Sequence, residues 1–154
     1  MHKKEVSLLL IALSSPIMIG VYEDGLLIES IESSQKSSEV LPSLYAELLE
    51  KYNVQALFYA NGPGSFMAIK VAYIFLKSLS ILKNIPLYAT DAFNFNQNQP
   101  IKAIGKLCFV KIDKEIKTQK FQTVPEVAFS LPKELVLDEF SKNTTPLYMI
   151  GAVG

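Results

Sequence analysis

Asn61-Gly62-Pro63-Gly64-Ser65-Phe66 is the stretch of this 154-residue chain whose residue types come nearest to a ligand cradle. Glycines reach backbone conformations closed to other residues, and Pro63 stiffens the turn. Ser65 is a natural helix N-cap, and the free N–H groups at a helix start can accept an anion. No Gly-Lys-Ser/Thr follows at the spacing of a phosphate-binding P-loop. On residue chemistry alone, a plain strand-to-helix turn explains the motif better than an anion cradle does.

Other reactive residues are sparse. The only histidine is His2, so a His-based metal site or a Ser–His dyad has no source. Cys108 is the sole cysteine. It has no histidine to activate it, excludes an internal disulfide and reads as a strand cysteine of a reduced, cytoplasmic protein. The early carboxylates, Glu23, Asp24, Glu29, Glu32 and Glu39, are scattered. A turn explains Asp24, and Glu39 suits the first turn of a helix, where its charge favours the dipole. Asp91, at the end of an expected strand, is the carboxylate worth locating, and a loop-start role is its simpler reading. No constellation specifies a reaction.

Composition narrows the classes. Hydrophobic residues make up 49% and charged residues 19%. That balance excludes wholesale disorder and provides a core for one domain. Lys+Arg and Asp+Glu are each 15. The basic excess of a protein that grips nucleic acid alone is therefore missing. The longest apolar run, Val6–Leu13, is too short to span a membrane and reads as a buried first strand.

The elements that must position these residues follow from periodicity. Val6–Leu13, Pro16–Tyr22 and Leu26–Ile31 read as three strands, with Asp24-Gly25 as a tight hairpin turn. Val40, Leu41, Leu44, Tyr45, Leu48, Leu49 and Tyr52 follow a helical repeat. Pro42 places that helix start near Ser38 or Glu39, with Ser37 or Ser38 as cap. Gln55–Ala60 is a fourth strand, a long helix runs from Phe66 to Leu82, and Pro86–Thr90 is a fifth strand. After a polar boundary at 91–100, Ile101–Ile112 and Lys117–Val124 form an expected hairpin, with Leu147–Ile150 as a last strand. The order βββαβαβ implies an α/β fold with a mixed sheet, in the manner of a ribonuclease-H-like or actin-like half.

The second helix is too apolar for an ordinary surface helix. Met67, Ile69, Val71, Tyr73, Ile74, Phe75, Leu76, Leu79 and Ile81 occupy most of its circumference, against few polar residues such as Lys70 and Ser78. A sheet-facing stripe needs only about 100° of it. Either a partner protein covers the remainder, or the C-terminal segment folds over it.

These motifs carry a family resemblance. Gly62-Pro63-Gly64-Ser65-Phe66 and then Met67-Ala68-Ile69-Lys70 resemble the Gly-Pro-Gly-Ser-Phe-Thr-Gly-aliphatic-Arg motif of the TsaB (YeaZ) family. Lys36-Ser37-Ser38-Glu39 with Leu41-Pro42 is similar to that family's Arg-His-Ser/Ala-Glu…Leu-Pro helix start, and Ile85-Pro86-Leu87 to its Gly-Ile-Pro-Leu. The resemblance covers roughly residues 6–91. There are departures. Ala12-Leu13-Ser14 stands where the family commonly has Asp-Thr-Ser, and Met67-Ala68 replaces Thr-Gly. Lys70 replaces Arg without its planar fork.

The resemblance implies an actin-like (ASKHA) N-terminal subdomain over residues 1–91 and a reduced, β-leaning C-terminal subdomain over 92–154. It implies a non-catalytic scaffold for TsaD, the subunit that transfers the threonylcarbamoyl group in making tRNA threonylcarbamoyladenosine. It implies a heterodimer with TsaD through the two helices, TsaE as a further candidate partner, a homodimer when alone, and only indirect contact with tRNA. No cofactor is expected on the chain itself, and a nucleotide at the interface with TsaD stays open. The partner face is expected among Val40, Leu41, Leu44, Tyr45 and Leu48 of the first helix and Met67, Lys70, Val71, Ile74, Phe75 and Ser78 of the second, with some of these turned to the sheet instead. Two rival readings remain: a small ATP-binding or M22-type peptidase-like enzyme, and a homodimeric interaction protein outside the tRNA pathway.

Overall fold

The computed structural model describes residues 2–126 and 128–147. Its first half runs β1 (Glu5–Ile11), β2 (Ile17–Glu23), β3 (Leu26–Ser33), α1 (Ser37–Lys51), β4 (Asn53–Ala60), α2 (Phe66–Lys83) and β5 (Leu87–Thr90). The expected βββαβαβ order is therefore present. These strands form one mixed sheet in the order β3-β2-β1-β4-β5. Short links make β1, β2 and β3 antiparallel, while the two helical crossovers make β1, β4 and β5 parallel. Asp24 (φ 51°) and Gly25 (φ 80°) both take positive φ. A two-residue hairpin turn requires that conformation.

The sheet separates two cores. Alternate side chains of β1 point to opposite faces. Val6, Leu8 and Leu10 pack with Leu41, Tyr45 and Leu48 of α1 and Ala72 and Leu76 of α2. Leu9, Ile11 and Leu13 join Phe58, Phe93, Ile101 and Phe109 in the other core. Helix α1 starts at Ser37, slightly before the expected position, and Pro42 falls in its second turn. The residue before it, Lys36, occupies the cap position without a side-chain bond, so neither Ser37 nor Ser38 caps it.

The second half differs from its expected strands. A short 3-10 turn (Ala92–Phe95) leads into β6 (Ile101–Lys102), β7 (Leu107–Ile112) and β8 (Glu115–Lys120), an antiparallel sheet in that order. The single strand expected at Ile101–Ile112 is two strands, broken by a turn at Gly105 (φ 57°). The next strand starts at Glu115 rather than Lys117, because Asp113 (φ 50°) and Lys114 (φ 69°) complete a two-residue turn. Residues 129–147 then run as a largely irregular strap along the first sheet. Tyr22 Oη donates to Pro132 O at 2.6 Å, Leu27 N to Lys133 O at 2.9 Å and Ser141 N to Ala89 O at 2.7 Å. Tyr59 Oη donates to Thr144 O, and Phe140 sets its ring edge-on to Phe58 at 4.8 Å. Of the expected strand Leu147–Ile150, residues 148–150 lie outside the described residues.

Two ion pairs tie elements together. Asp91 Oδ1 accepts from Phe93 N at 3.0 Å and its Oδ2 pairs with Lys111 Nζ at 2.5 Å, joining the end of β5 to β7. The loop-start reading of Asp91 therefore describes its contacts. Tyr52 Oη donates to Glu29 Oε1 at 2.5 Å and Lys51 Nζ to the same oxygen at 3.1 Å, fastening the end of α1 to β3.

This packing can be tested at two positions. Leu41 is fully buried. Leu41→Ala is expected to cost about 2–5 kcal/mol in urea denaturation. The bonds from Tyr52 and then Lys51 hold the Glu29 carboxyl below its ordinary value. A depressed folded-state pKa stabilises above the unfolded value, about 4, and that contribution is lost as pH falls through the depressed one. Tyr52→Phe should therefore lower the melting temperature at pH 7, and the gap to the unmodified chain should narrow under acid below about pH 4.

Candidate functional site

The Asn61–Phe66 turn spends much of its polar backbone internally. Asn61 N donates to Thr90 O at 3.0 Å, Ser65 N to Leu13 O at 3.2 Å, and Gly62 O accepts from Ala92 N at 2.8 Å. Asn61 also binds the strap: Nδ2 donates to Thr145 O at 3.0 Å, and Asn61 O accepts from Leu147 N at 2.7 Å. Among the described residues its buried Oδ1 has no hydrogen-bond partner. Gly62 has φ 115°, and a Cβ there would lie 3.0 Å from Ile69 Cδ1 and 3.1 Å from Leu147 O. Ser65 occupies the N-cap position of α2, but its side chain makes no capping bond. The turn is thus a clamp that joins β1, β5 and the strap and sets where α2 begins.

Helix α2 divides cleanly by burial. Ile69, Ala72 and Leu76 are buried at three- and four-residue spacing and face the sheet. Phe75 meets Tyr45 edge-on at 5.2 Å. On the opposite side Met67, Ile74 and Ile81 are 60%, 53% and 70% exposed. They recur every seven residues and so form one stripe. Phe66 and Leu82, at its two ends, are also exposed. Among the described residues eleven large hydrophobics are exposed, and these five lie on α2. Lys70 and Lys77 flank the stripe, and α2 carries no carboxylate.

The expected partner residues are sorted by this geometry. Val40, Leu41, Tyr45 and Leu48 are core residues, because their side of α1 packs on β4 and on α2. They are not surface. Leu44, Val71 and Phe75 are half-buried, while Met67, Lys70, Ile74 and Ser78 are exposed. Leu41, Pro42, Val71, Ile74 and Phe75 line a groove of about 280 Å³ between the helices. The expected set omitted Ile81 and Leu82, although the seven-residue recurrence after Met67 and Ile74 pointed to Ile81. No described residue of the strap covers this stripe, since Met67, Ile74 and Ile81 stay exposed.

The residues with chemical potential lie apart. His2 is exposed. Cys108 is fully buried in β7, where burial pushes its thiol up against the opposing effect of Lys102. Among the described residues no three His, Cys, Asp or Glu side chains gather into a metal-ligating group. No helix among them is long and apolar enough to cross a membrane.

The mixed five-stranded sheet with two helices on one face is an α/β fold of the actin-like or ribonuclease-H-like kind, and comparison with known proteins gives the particular likeness. No family model and no curated protein sequence matches the chain. Solved structures do. YeaZ from Pseudomonas aeruginosa superposes with a TM-score of 0.57 at 14% identity, covering 81% of this chain and 67% of that one. A second structure, of a protein with similarity to peptidase YeaZ from Pseudomonas aeruginosa, gives 0.53 at 16% identity, covering 76% and 64%. At these identities the shared property is the fold, and the chain spans about two thirds of each neighbour's length.

The clamp yields its own prediction. Gly62→Ala combines a positive φ with contact against a backbone carbonyl. It is expected to destabilise the fold by about 1 kcal/mol or more in denaturant titration.

Proposed function

We propose that this chain is a non-catalytic docking subunit that presents the outer face of α2 to another protein. One observation carries the reading: Met67, Ile74 and Ile81 form a solvent-exposed apolar stripe with a seven-residue repeat. That repeat is how one helix offers a seam to another. Covering such side chains contributes about 1.5–3 kcal/mol each, so leaving them bare has a cost that a partner removes. The groove beside Val71 and Phe75 would receive the partner's side chains. The YeaZ-like fold and the motif at Gly62–Phe66 nominate a TsaD-type subunit as that partner, with a role in tRNA threonylcarbamoyladenosine formation. In this reading the chain needs no cofactor of its own and reaches tRNA through its partner.

A second copy of the chain is the competing occupant, and it too has an observation behind it. The exposed side of α1 carries Glu39, Glu47 and Glu50, which would complement Lys70 and Lys77 of a neighbouring α2.

The test is gel filtration with light scattering, on the chain alone and mixed with the TsaD-type protein of the same cell. The expected result is a heteromeric peak at micromolar concentrations. Ile74→Glu should abolish that peak while moving the melting temperature by no more than about 2 °C, as suits an exposed position. A homodimer that Ile74→Glu splits, with no mixed species, would favour self-association. Monomers throughout would defeat both readings.

A further inference from the structure

A cleft of about 670 Å³ opens where the end of β1, the start of α2 and the second sheet meet. Its volume lies in the range of small-molecule sites, roughly 300–1,000 Å³. It also sits at the carboxyl end of β1, where open α/β sheets bind ligands. Leu13, Phe66, Ile101 and Phe129 give it apolar walls, and Lys102 and Glu126 stand on those walls with opposite charge. Among the described residues neither of these two has an ion-pair partner, including each other.

Those features constrain the ligand. A nucleoside triphosphate brings several negative charges, and the cleft sets a single lysine against them. The adjoining end of β1, Ala12-Leu13-Ser14, has no carboxylate to hold a divalent cation. A wholly apolar ligand would leave Lys102 and Glu126 without a use and would desolvate them at a cost. One anionic and one cationic group on an apolar body match all of the walls at once. The geometry points to a free apolar α-amino acid as the ligand of this cleft. Its carboxylate faces Lys102, its ammonium faces Glu126, and its side chain lies against Phe66 and Phe129. This site shares only Phe66 with α2, and Lys102 and Glu126, which set its charge, lie off that helix.

The experiment is an NMR titration of the full chain with L-phenylalanine, set beside 3-phenylpropionate, 2-phenylethylamine and AMP. Saturable shifts are expected at Ser14, Lys102 and Ala103 with L-phenylalanine. Each analogue with a single charge should bind about tenfold more weakly or worse, the usual effect of losing one charged hydrogen-bond partner. Lys102→Ala should weaken L-phenylalanine about tenfold and spare 2-phenylethylamine, and Glu126→Gln should weaken it similarly and spare 3-phenylpropionate. Both side chains are exposed, so both variants should keep the parent melting temperature. Three results would each overturn the assignment: no saturable shift up to the solubility of the amino acid, tighter binding of AMP than of L-phenylalanine, or unchanged amino-acid affinity in both variants.

Discussion

From Leu8 to Leu13 every residue is at most 3% exposed, so this stretch of the first strand and its extension has no solvent face. A strand apolar on both sides is stable only when two layers cover it. The rest of the molecule meets that demand. Helices α1 and α2 cover one face of the sheet, and the second sheet with the strap covers the other. The strap lacks regular structure for most of its length, so its backbone bonds individually to Phe95, Gly25, Ala89 and Asn61. Those bonds substitute for the ladder that a strand would have supplied.

The described hydrophobics after β5 that pack into a core belong to the one on the non-helical face. The outer stripe of α2 stays exposed among the described residues and is a candidate for recognition. The apolar stripe on α2 has no carboxylate of its own, and its flanking charges are lysines. A protein that seats there therefore matches both shape and charge. The clamp at Asn61–Phe66 belongs to the same arrangement. It binds the strap on one side and launches the helix on the other, so the two layers are set by one short segment.

Much of the first half was legible because its signals are local. Asp24-Gly25 announces a hairpin, and the repeat from Val40 to Tyr52 announces an amphipathic helix. The second half was less so. Asp113-Lys114 lacks the glycine that usually marks a two-residue turn, so the sequence pattern suggests a strand from Lys117, whereas β8 starts at Glu115. Ser65 and the serines that open α1, Ser37 and Ser38, have the right residue type for capping, yet none makes the bond. An exposed hydroxyl bonds to water at little loss, so residue type does not compel a cap.

The amino-acid order by itself determined the elements of the first sheet, its mixed character, the glycine turn and the surplus apolar surface of α2. These follow from periodicity and backbone conformation, which act over a few residues. Only the tertiary structure decided which helix residues are core and which are surface. Leu41 and Ile74 are both large aliphatic residues in sequence, but one is buried in the core between the helices and the sheet and the other faces solvent. It also decided that Asp91 pairs with Lys111, and that Lys102 and Glu126 share a cleft. Such pairings join residues twenty or more positions apart, and no local pattern records them.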